Sequence, residues 1–522
     1  MKTINIKMTI ISASLFFIMG CTNNFDEINT NPNGFSNTQI QQDFNDIRGQ
    51  FPSLFNGIYN NLHWKYQLQQ NLNADLWSGF MATPTGFRGG SNNSTYDLVD
   101  GWNGFVWDLA YQNAMSSALK VEQRAKGKYN QFYAWSLILK VEAMHRITDV
   151  YGPIVYSKYG IEDPLVAYDS QAEVYTKMFE ELDIAVADLT TRFNNNEVST
   201  FGVTDITGYQ GRYDQWVKYA NSLRLRLAMR LVKINPVLAK FEAEKAIAHP
   251  LGVLTTKNDI AFVNVPDPIS IISESWADIR MSADMESIMG GYQDPRQTKY
   301  FKESVDFPGQ YRGIRTGINI VAKSDRIGMS RIGSVVETGK KVLMNTSEVY
   351  FLRAEGALRG WNMGGTAQNL YEEGIKASFD QYDLGGSPTY LIDNVKLPKN
   401  FIDVVDNVNS ATAVNTITIA WDAAATNEIK LQKIITQKWI ALFPDGQEAW
   451  SEYRRTGYPK LFPVIKNTSG GIIDSNLGPR RINFPQSEKD GNPGGYQTGL
   501  IKLNGPDNGA TRLWWDKIGS NF

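Results

Sequence analysis

The sequence predicts a mainly α-helical domain, built from antiparallel helix pairs of the length that a tetratricopeptide-type solenoid stacks. The first reason is that apolar residues recur at the helical period in several long stretches. The second is that long irregular segments rich in Gly, Pro and Asn separate these stretches. The third is that no linker clearly divides the chain. Together these features indicate one α-rich domain with large loop insertions.

Three helices are predicted in the first half of the chain. "NQFYAWSLILKVEAMHRITDVYG" starts at Asn130 and ends at Gly152, before Pro153. "SQAEVYTKMFEELDIAVADL" follows Ser170, a residue suited to cap a helix N-terminus. "YDQWVKYANSLRLRLAMRLVKINP" alternates Leu with Arg and stops before Pro236.

The second half predicts a helix–turn–helix and one further strong helix. "TSEVYFLRAEGALRGW" (346–361) and "TAQNLYEEGIKASFDQY" (366–382) are joined by a short turn, and "NEIKLQKIITQKWIALF" covers 427–443. The irregular segments between the helices are roughly 71–101, 251–340, 382–425 and 456–513. Loops this long in a compact domain are usually functional.

The N-terminus predicts a lipoprotein signal peptide over residues 1–20. Lys2 and Lys7 precede a short apolar run, and Ile18-Met19-Gly20-Cys21 is similar to a bacterial lipobox. Cys21 is the only cysteine, and lipidation would explain an unpaired thiol in a secreted chain. We expect cleavage before Cys21, an Asn-rich lipidated tether over 21–40, and a single domain over 41–522.

The composition excludes several function classes. A net charge of −2 argues against nucleic acid, and three histidines far apart in the sequence argue against a His-rich metal site. The informative excess is aromatic, with 13 Trp, 24 Tyr and 25 Phe. No cofactor is predicted.

Several stretches together carry a family resemblance. They are "KVEAMHRITDVYGPIVYSKYG", "DPRQTKYF", "MNTSEVYFLRAEGALRGW", "IITQKWIALFPDGQEAWSEYRRTGYPKLFP" and "RINFPQSEKDGNPGGY". With the lipobox they make the chain resemble the SusD/RagB family of Bacteroidetes outer-membrane lipoproteins, and its SusD-like branch in particular, over essentially the whole mature length.

The resemblance implies a scaffold of about four helical pairs, with loops and small β elements forming the ligand side. It also implies a surface-exposed lipoprotein that captures an oligosaccharide and delivers it to a TonB-dependent, SusC-like outer-membrane barrel. A peptide ligand is the main alternative, as in RagB-like uptake. A surface glycosidase and an adhesin are weaker ones.

The residues themselves favour a glycan site. Sugars present apolar C–H faces ringed by hydroxyls, so a site needs aromatic platforms beside polar side chains. The Gly- and Asn-rich segment 73–102 supplies both, and the region 276–312 supplies a second set. The predicted ligand-binding residues are Trp77, Phe80, Phe87, Arg88, Asn92, Tyr96, Trp276, Tyr292 and Tyr311.

Other recognisable residues are expected to be structural. Trp102 and Trp107 have near-helical spacing with Tyr111 and are expected in the core, and 294–296 is expected to be a turn with an ion pair. Trp439, Trp450 and 453–455 are interpreted as scaffold. No G-x-S-x-G, H-E-x-x-H or Walker A pattern occurs, so the chain is not expected to be an enzyme.

Overall fold

The computed structural model describes residues 42–163, 165–265, 267–336 and 340–522. The predicted signal peptide, Cys21 and the tether over 21–40 lie outside these residues. The chain divides into two compact units, Met1–Gly49 and Gln50–Phe522. In the first, the described residues hold one short helix, Asn45–Arg48 (α1).

The second unit is mainly helical, as the sequence predicts. In chain order its helices are Phe51–Ile58 (α2), His63–Tyr66 (α3), Ala74–Trp77 (α4), Asp100–Leu109 (α5), Ser116–Ala125 (α6), Asn130–Tyr151 (α7), Gln171–Asn194 (α8), Tyr213–Arg230 (α9), Pro236–Ala248 (α10), Pro268–Ser270 (α11), Ala283–Tyr292 (α12), Gln297–Tyr300 (α13), Thr346–Leu358 (α14), Ala367–Gln381 (α15), Ser387–Leu391 (α16), Asn427–Leu442 (α17), Gly446–Thr456 (α18), Gln486–Gly491 (α19) and Pro493–Leu503 (α20).

The six predicted helices are confirmed within a few residues at each end. The N-cap prediction at Ser170 is also confirmed, because its side chain accepts a hydrogen bond from the Glu173 backbone N–H. Further helices, such as α12 and α20, lie inside segments that the sequence predicts as irregular. They are short and contain two and three glycines, so they offer few helical turns from which a period can be recognised.

Consecutive long helices pack on one another to form the scaffold. Helix α7 packs on α8, α8 on α9, and α9 on α10, while α14 packs on α15 and α17. Helix α9 also contacts α14, which joins the two sets. This is the helical-pair arrangement that the sequence predicts.

Buried ion pairs cross the centre of this scaffold. Two arginines of α9 belong to this network. Arg226 Nη2 lies 2.7 Å from Glu348 Oε2, and Arg230 Nε lies 3.0 Å from Asp149 Oδ2. Arg230 also pairs with Glu448 and Glu452 of α18. Charges this deeply buried need partners, so the network fixes how α7, α9, α14 and α18 meet.

Two small antiparallel sheets position the loops. Strand β1 (Met81–Ala82) pairs with β3 (Arg280–Met281), placing Met81 opposite Met281. Strand β2 (Ala261–Asn264) pairs with β4 (Lys340–Met344). The β1–β3 pair brings the loop after Ala82 next to the segment before Arg280, although some 200 residues separate them in sequence.

Candidate functional site

The structure buries five of the predicted ligand-binding side chains. Trp77 is only 5% exposed, and its indole N–H donates to the Asn93 carbonyl at 2.9 Å. Phe80 packs between Trp439 and Phe443. Asn92, Tyr96 and Tyr292 are also buried. Their burial argues against these five as contact residues, because a buried side chain has little surface to offer a sugar.

Asn92 has a positioning role instead. Its side-chain oxygen accepts from the Ser94 backbone N–H at 2.9 Å, and its Nδ2 donates to the Phe87 carbonyl at 2.9 Å. These bonds tie the loop at 87–91 to the turn that follows. Within that loop Arg88 is exposed and has a left-handed backbone, with φ of 52°. Such a conformation is strained for a residue other than glycine, and strain of this kind collects at functional sites.

Six accessible aromatic side chains from helices α3 and α5 and from the loops at 87 and 276 contact one another. They form three edge-to-face pairs: His63 with Trp276 (ring centroids 4.7 Å apart), Trp64 with Phe105 (5.7 Å) and Phe87 with Trp102 (5.5 Å). Because His63 and Trp64 are adjacent, and Trp102 and Phe105 lie one turn apart on α5, the three pairs are neighbours. We call these six side chains the aromatic face.

The members of the aromatic face remain open to solvent. Trp64 is 42% exposed, and the other five side chains are partly exposed. Edge-to-face packing holds each ring in place while leaving part of its surface accessible. An exposed apolar patch with polar surroundings is typical of a binding surface.

Asp278 fastens together the loops that carry the aromatic face. Its carboxylate accepts hydrogen bonds from Gln67 Nε2 at 3.1 Å, Thr85 Oγ1 at 2.6 Å and Lys323 Nζ at 2.7 Å. Lys323 Nζ also donates to the Trp276 carbonyl at 2.6 Å. One side chain therefore ties its own segment to three others, and these bonds lie within a few residues of Trp64, Phe87 and Trp276.

Polar groups lie beside the rings. Gly86 packs against the carbonyl of Ile320, and the adjoining Asn319 accepts a hydrogen bond from Lys466 Nζ at 3.2 Å. Arg88 adds an exposed guanidinium. Hydrogen-bonding groups around aromatic platforms suit a ligand that is both apolar and rich in hydroxyl or amide groups.

The other four predicted site residues are partly or fully accessible. Phe87 and Trp276 belong to the aromatic face, and Arg88 follows Phe87. Tyr311 is partly exposed on a separate loop, where burial raises the pKa of its phenol. The adjacent Arg312 pairs with Glu286 at 3.2 Å.

The sequence interpretation missed four members of the aromatic face: His63, Trp64, Trp102 and Phe105. Trp102 was expected in the core with Trp107, yet only Trp107 is fully buried. The usable signal was the three-residue spacing of Trp102 and Phe105, which places both rings on one side of α5. The predicted scaffold residues are confirmed as buried, including the Asp294–Arg296 pair at 2.6 Å.

Within the described ranges, no group of three His, Cys, Asp or Glu side chains is arranged to hold a metal ion. None of the helices in those ranges is both long enough and apolar enough to cross a bilayer. What the described site offers is a shaped aromatic surface on a rigid helical scaffold.

Comparison with known proteins defines the class. The family model described as SusD-like, Susd and RagB outer membrane lipoprotein, matches residues 27–516. A chitin-binding SusD homolog from Flavobacterium johnsoniae is 61% identical, with a TM-score of 0.90 over 91% of this chain and 100% of that chain. A SusD homolog from Bacteroides vulgatus is 36% identical, with a TM-score of 0.88 over 92% and 100%.

A third solved structure, a SusD-like protein from Bacteroides thetaiotaomicron, is 30% identical, with a TM-score of 0.85 over 90% of this chain and 98% of that chain. No curated protein sequence matches. The chain belongs to the SusD-like family of outer-membrane lipoproteins. The family and the fold that the sequence resemblance implies are thus confirmed, while lipidation of Cys21 stays a prediction.

Proposed function

We propose that this lipoprotein binds an oligosaccharide on the aromatic face. The observation that carries the proposal is the set of three accessible edge-to-face aromatic pairs, beside the segments that Asp278 joins. Pyranose rings stack their C–H faces on aromatic rings, and successive sugars of a linear chain can use successive platforms.

The glycan we propose is a chitin-type chain of β-linked N-acetylglucosamine. The 61% identical homolog from Flavobacterium johnsoniae is described as chitin-binding, and this chain spans that whole structure. The acetamido groups of such a chain need amide and guanidinium partners. Arg88, which follows Phe87 in the chain, offers an exposed guanidinium group that can meet part of this need.

The test is calorimetric titration of residues 22–522 with the N-acetylglucosamine hexamer. Replacing Trp276 or Trp102 by Ala should weaken binding about tenfold or more, equivalent to at least about 1.4 kcal/mol. Phe87→Ala should do the same, whereas its matched control Phe241→Ala, on exposed helix α10, should not. Equal losses from Phe87→Ala and Phe241→Ala, or tighter binding of a peptide panel than of the hexamer, would contradict the proposal.

We further propose that the bound chain passes to a SusC-like, TonB-dependent barrel, the partner that the family resemblance implies. What supports this proposal is membership of the SusD-like family of outer-membrane lipoproteins. Affinity purification from detergent-solubilised outer membrane should recover a large β-barrel protein with the tagged lipoprotein. Recovery of the lipoprotein alone, under conditions that keep other outer-membrane complexes intact, would contradict this partnership.

A further inference from the structure

A second cleft lies beside the aromatic face, further along the same segment of chain. Its volume is about 520 Å³, within the range of small-molecule sites. The partly exposed rings of Tyr111 and Tyr159, with centroids 5.7 Å apart, form one wall, and the buried Trp107 stacks behind Tyr111 at 4.6 Å. Tyr111 is fixed because its hydroxyl donates to the Val155 carbonyl at 2.7 Å. We call this site the Tyr111 cleft.

The charged side chains that line the Tyr111 cleft are all acidic. Asp108, Asp163 and Glu488 line it, and among the residues that the structure describes no lysine, arginine or histidine does. Asp108 accepts a hydrogen bond from Ser487 at 3.2 Å, and Glu488 accepts one from Tyr168 at 2.8 Å. Burial raises the pKa of Asp108, so a cation beside it would relieve an unfavourable desolvation of the carboxylate.

The cleft continues the aromatic face along α5. Trp102, Phe105 and Asp108 follow one another at intervals of three residues, so they form a line that winds about a third of the way around the helix. From Trp102 to Asp108 the helix rises by roughly 9 Å, a distance that a short oligosaccharide can bridge. A chain bound on the aromatic face could thus extend into the cleft without leaving the surface.

We propose that the Tyr111 cleft is a second binding site that takes a protonated amino sugar, as found in partially deacetylated chitin. The tyrosine faces would hold the sugar ring, and the ammonium group would be attracted both by the rings and by Asp108 and Glu488. N-acetylated sugars carry no such charge, so the cleft favours the amine over the amide. This proposal rests on the proposed function only for the class of polymer. Recognition of the ammonium group depends on the residues of the cleft alone.

The experiment compares the glucosamine hexamer with the N-acetylglucosamine hexamer at about pH 6, where primary amines carry a proton. The unmodified protein should bind the glucosamine hexamer, and this binding should weaken as salt rises. Asp108→Asn and Glu488→Gln should each weaken it about fivefold or more while leaving the N-acetylglucosamine hexamer unaffected. The matched control is Asp490→Asn, which removes the same charge from an exposed position of α19 outside the cleft.

Three results would overturn the proposal. They are an equal effect of Asp490→Asn, an absence of glucosamine hexamer binding, and tighter, Asp108-dependent binding of tri-lysine, which would assign the cleft to peptides. Binding of the glucosamine hexamer alone, lost with Asp108→Asn, would support the cleft while refuting the proposed chitin function. The two proposals therefore fail separately.

Discussion

Trp77 and Trp276 have similar sequence surroundings but opposite environments. Both lie at the end of a short helical turn in a segment rich in polar residues. Trp77 packs on Trp450, with ring centroids 4.9 Å apart, whereas Trp276 is partly open and contacts His63 at its edge. The partner that buries Trp77 lies more than 370 residues further along the chain, so local sequence carries no signal for it.

Trp77→Ala should therefore destabilise the fold rather than remove a ligand contact. Loss of a buried Trp typically lowers the free energy of unfolding by about 3–5 kcal/mol. Its N–H bond to Asn93 is lost as well. Chemical denaturation followed by circular dichroism measures the change, with Trp276→Ala, at a partly exposed site, as the comparison. Equal midpoints for Trp77→Ala and the unmodified protein would show that the 73–102 segment opens at little cost.

Asp278 shows the same dependence on long-range contacts at the level of loops. No motif marks it in the sequence, yet it joins the segments around Gln67, Thr85 and Lys323. Phe87 and Trp276 were predictable because loops rich in turns and aromatics commonly carry function. The position of these two rings relative to each other could not be predicted, because it depends on the Asp278 carboxylate and on the pairing of β1 with β3.

Asp278→Ala should loosen the aromatic face while leaving the helical scaffold folded. Three hydrogen bonds are lost and the Lys323 ammonium is left without its carboxylate, so the loop at 85–91 should exchange its amide hydrogens faster. Hydrogen exchange followed by mass spectrometry reports this peptide by peptide, with α8 as the internal reference. Asp278→Asn keeps one acceptor oxygen, which can serve Thr85 but not Gln67 as well, so its exchange rate at 85–91 should lie between those of Asp278→Ala and the unmodified protein. Unchanged exchange at 85–91 in Asp278→Ala would refute the positioning role.

At the level of helices, the buried arginines of α9 provide a stability test. Arg226 contacts Glu348 and Glu142, both of which are fully buried. Arg226→Leu leaves these carboxylates without their main cation, and breaking a buried pair in this way costs about 3–5 kcal/mol. The control is Lys126→Ala, which breaks an exposed pair with Glu122 and should cost about 0.5 kcal/mol or less. Thermal unfolding of both variants measures the difference, and similar midpoints would contradict a structural role for the network.

On the scale of the whole molecule, the sequence predicts the scaffold far better than the loop side. The sequence signal of the scaffold is local, because apolar residues recur over several turns within each long helix. These helices are α7, α8, α9, α14, α15 and α17, of 13 to 24 residues each. The loops show no repeating pattern of apolar residues, and their positions depend on long-range contacts such as that of Phe80 with Trp439. The family resemblance supplied the expectation of a ligand side, but not which aromatics face solvent.

The pH dependence of global stability should reveal one buried acid in particular, Asp284 of α12. Burial raises the pKa of this carboxyl to about 7, and its nearest hydrogen-bond donor from another segment is the Phe462 backbone N–H at 2.8 Å. The folded protein therefore holds this proton between about pH 4 and pH 7, where the unfolded chain has released it. The stability that the neutral acid contributes is fully present below about pH 4 and is lost as the pH rises to about 7.

Asp284→Asn keeps an acceptor for Phe462 and cannot ionise, so it removes this slope. Asp75 and Glu142 also have pKa values raised to about 7, and they titrate in both proteins. The difference between the two unfolding free energies therefore isolates Asp284. Relative to the unmodified protein, Asp284→Asn should become more stable as the pH rises from about 4 to about 7, and the difference should then stay level. The total gain should be about 1.4 kcal/mol for each tenfold difference in proton affinity between the folded and unfolded chains. A difference that stays constant across this range, measured by urea denaturation at each pH, would mean that Asp284 titrates alike in the folded and unfolded chains and that its site admits water.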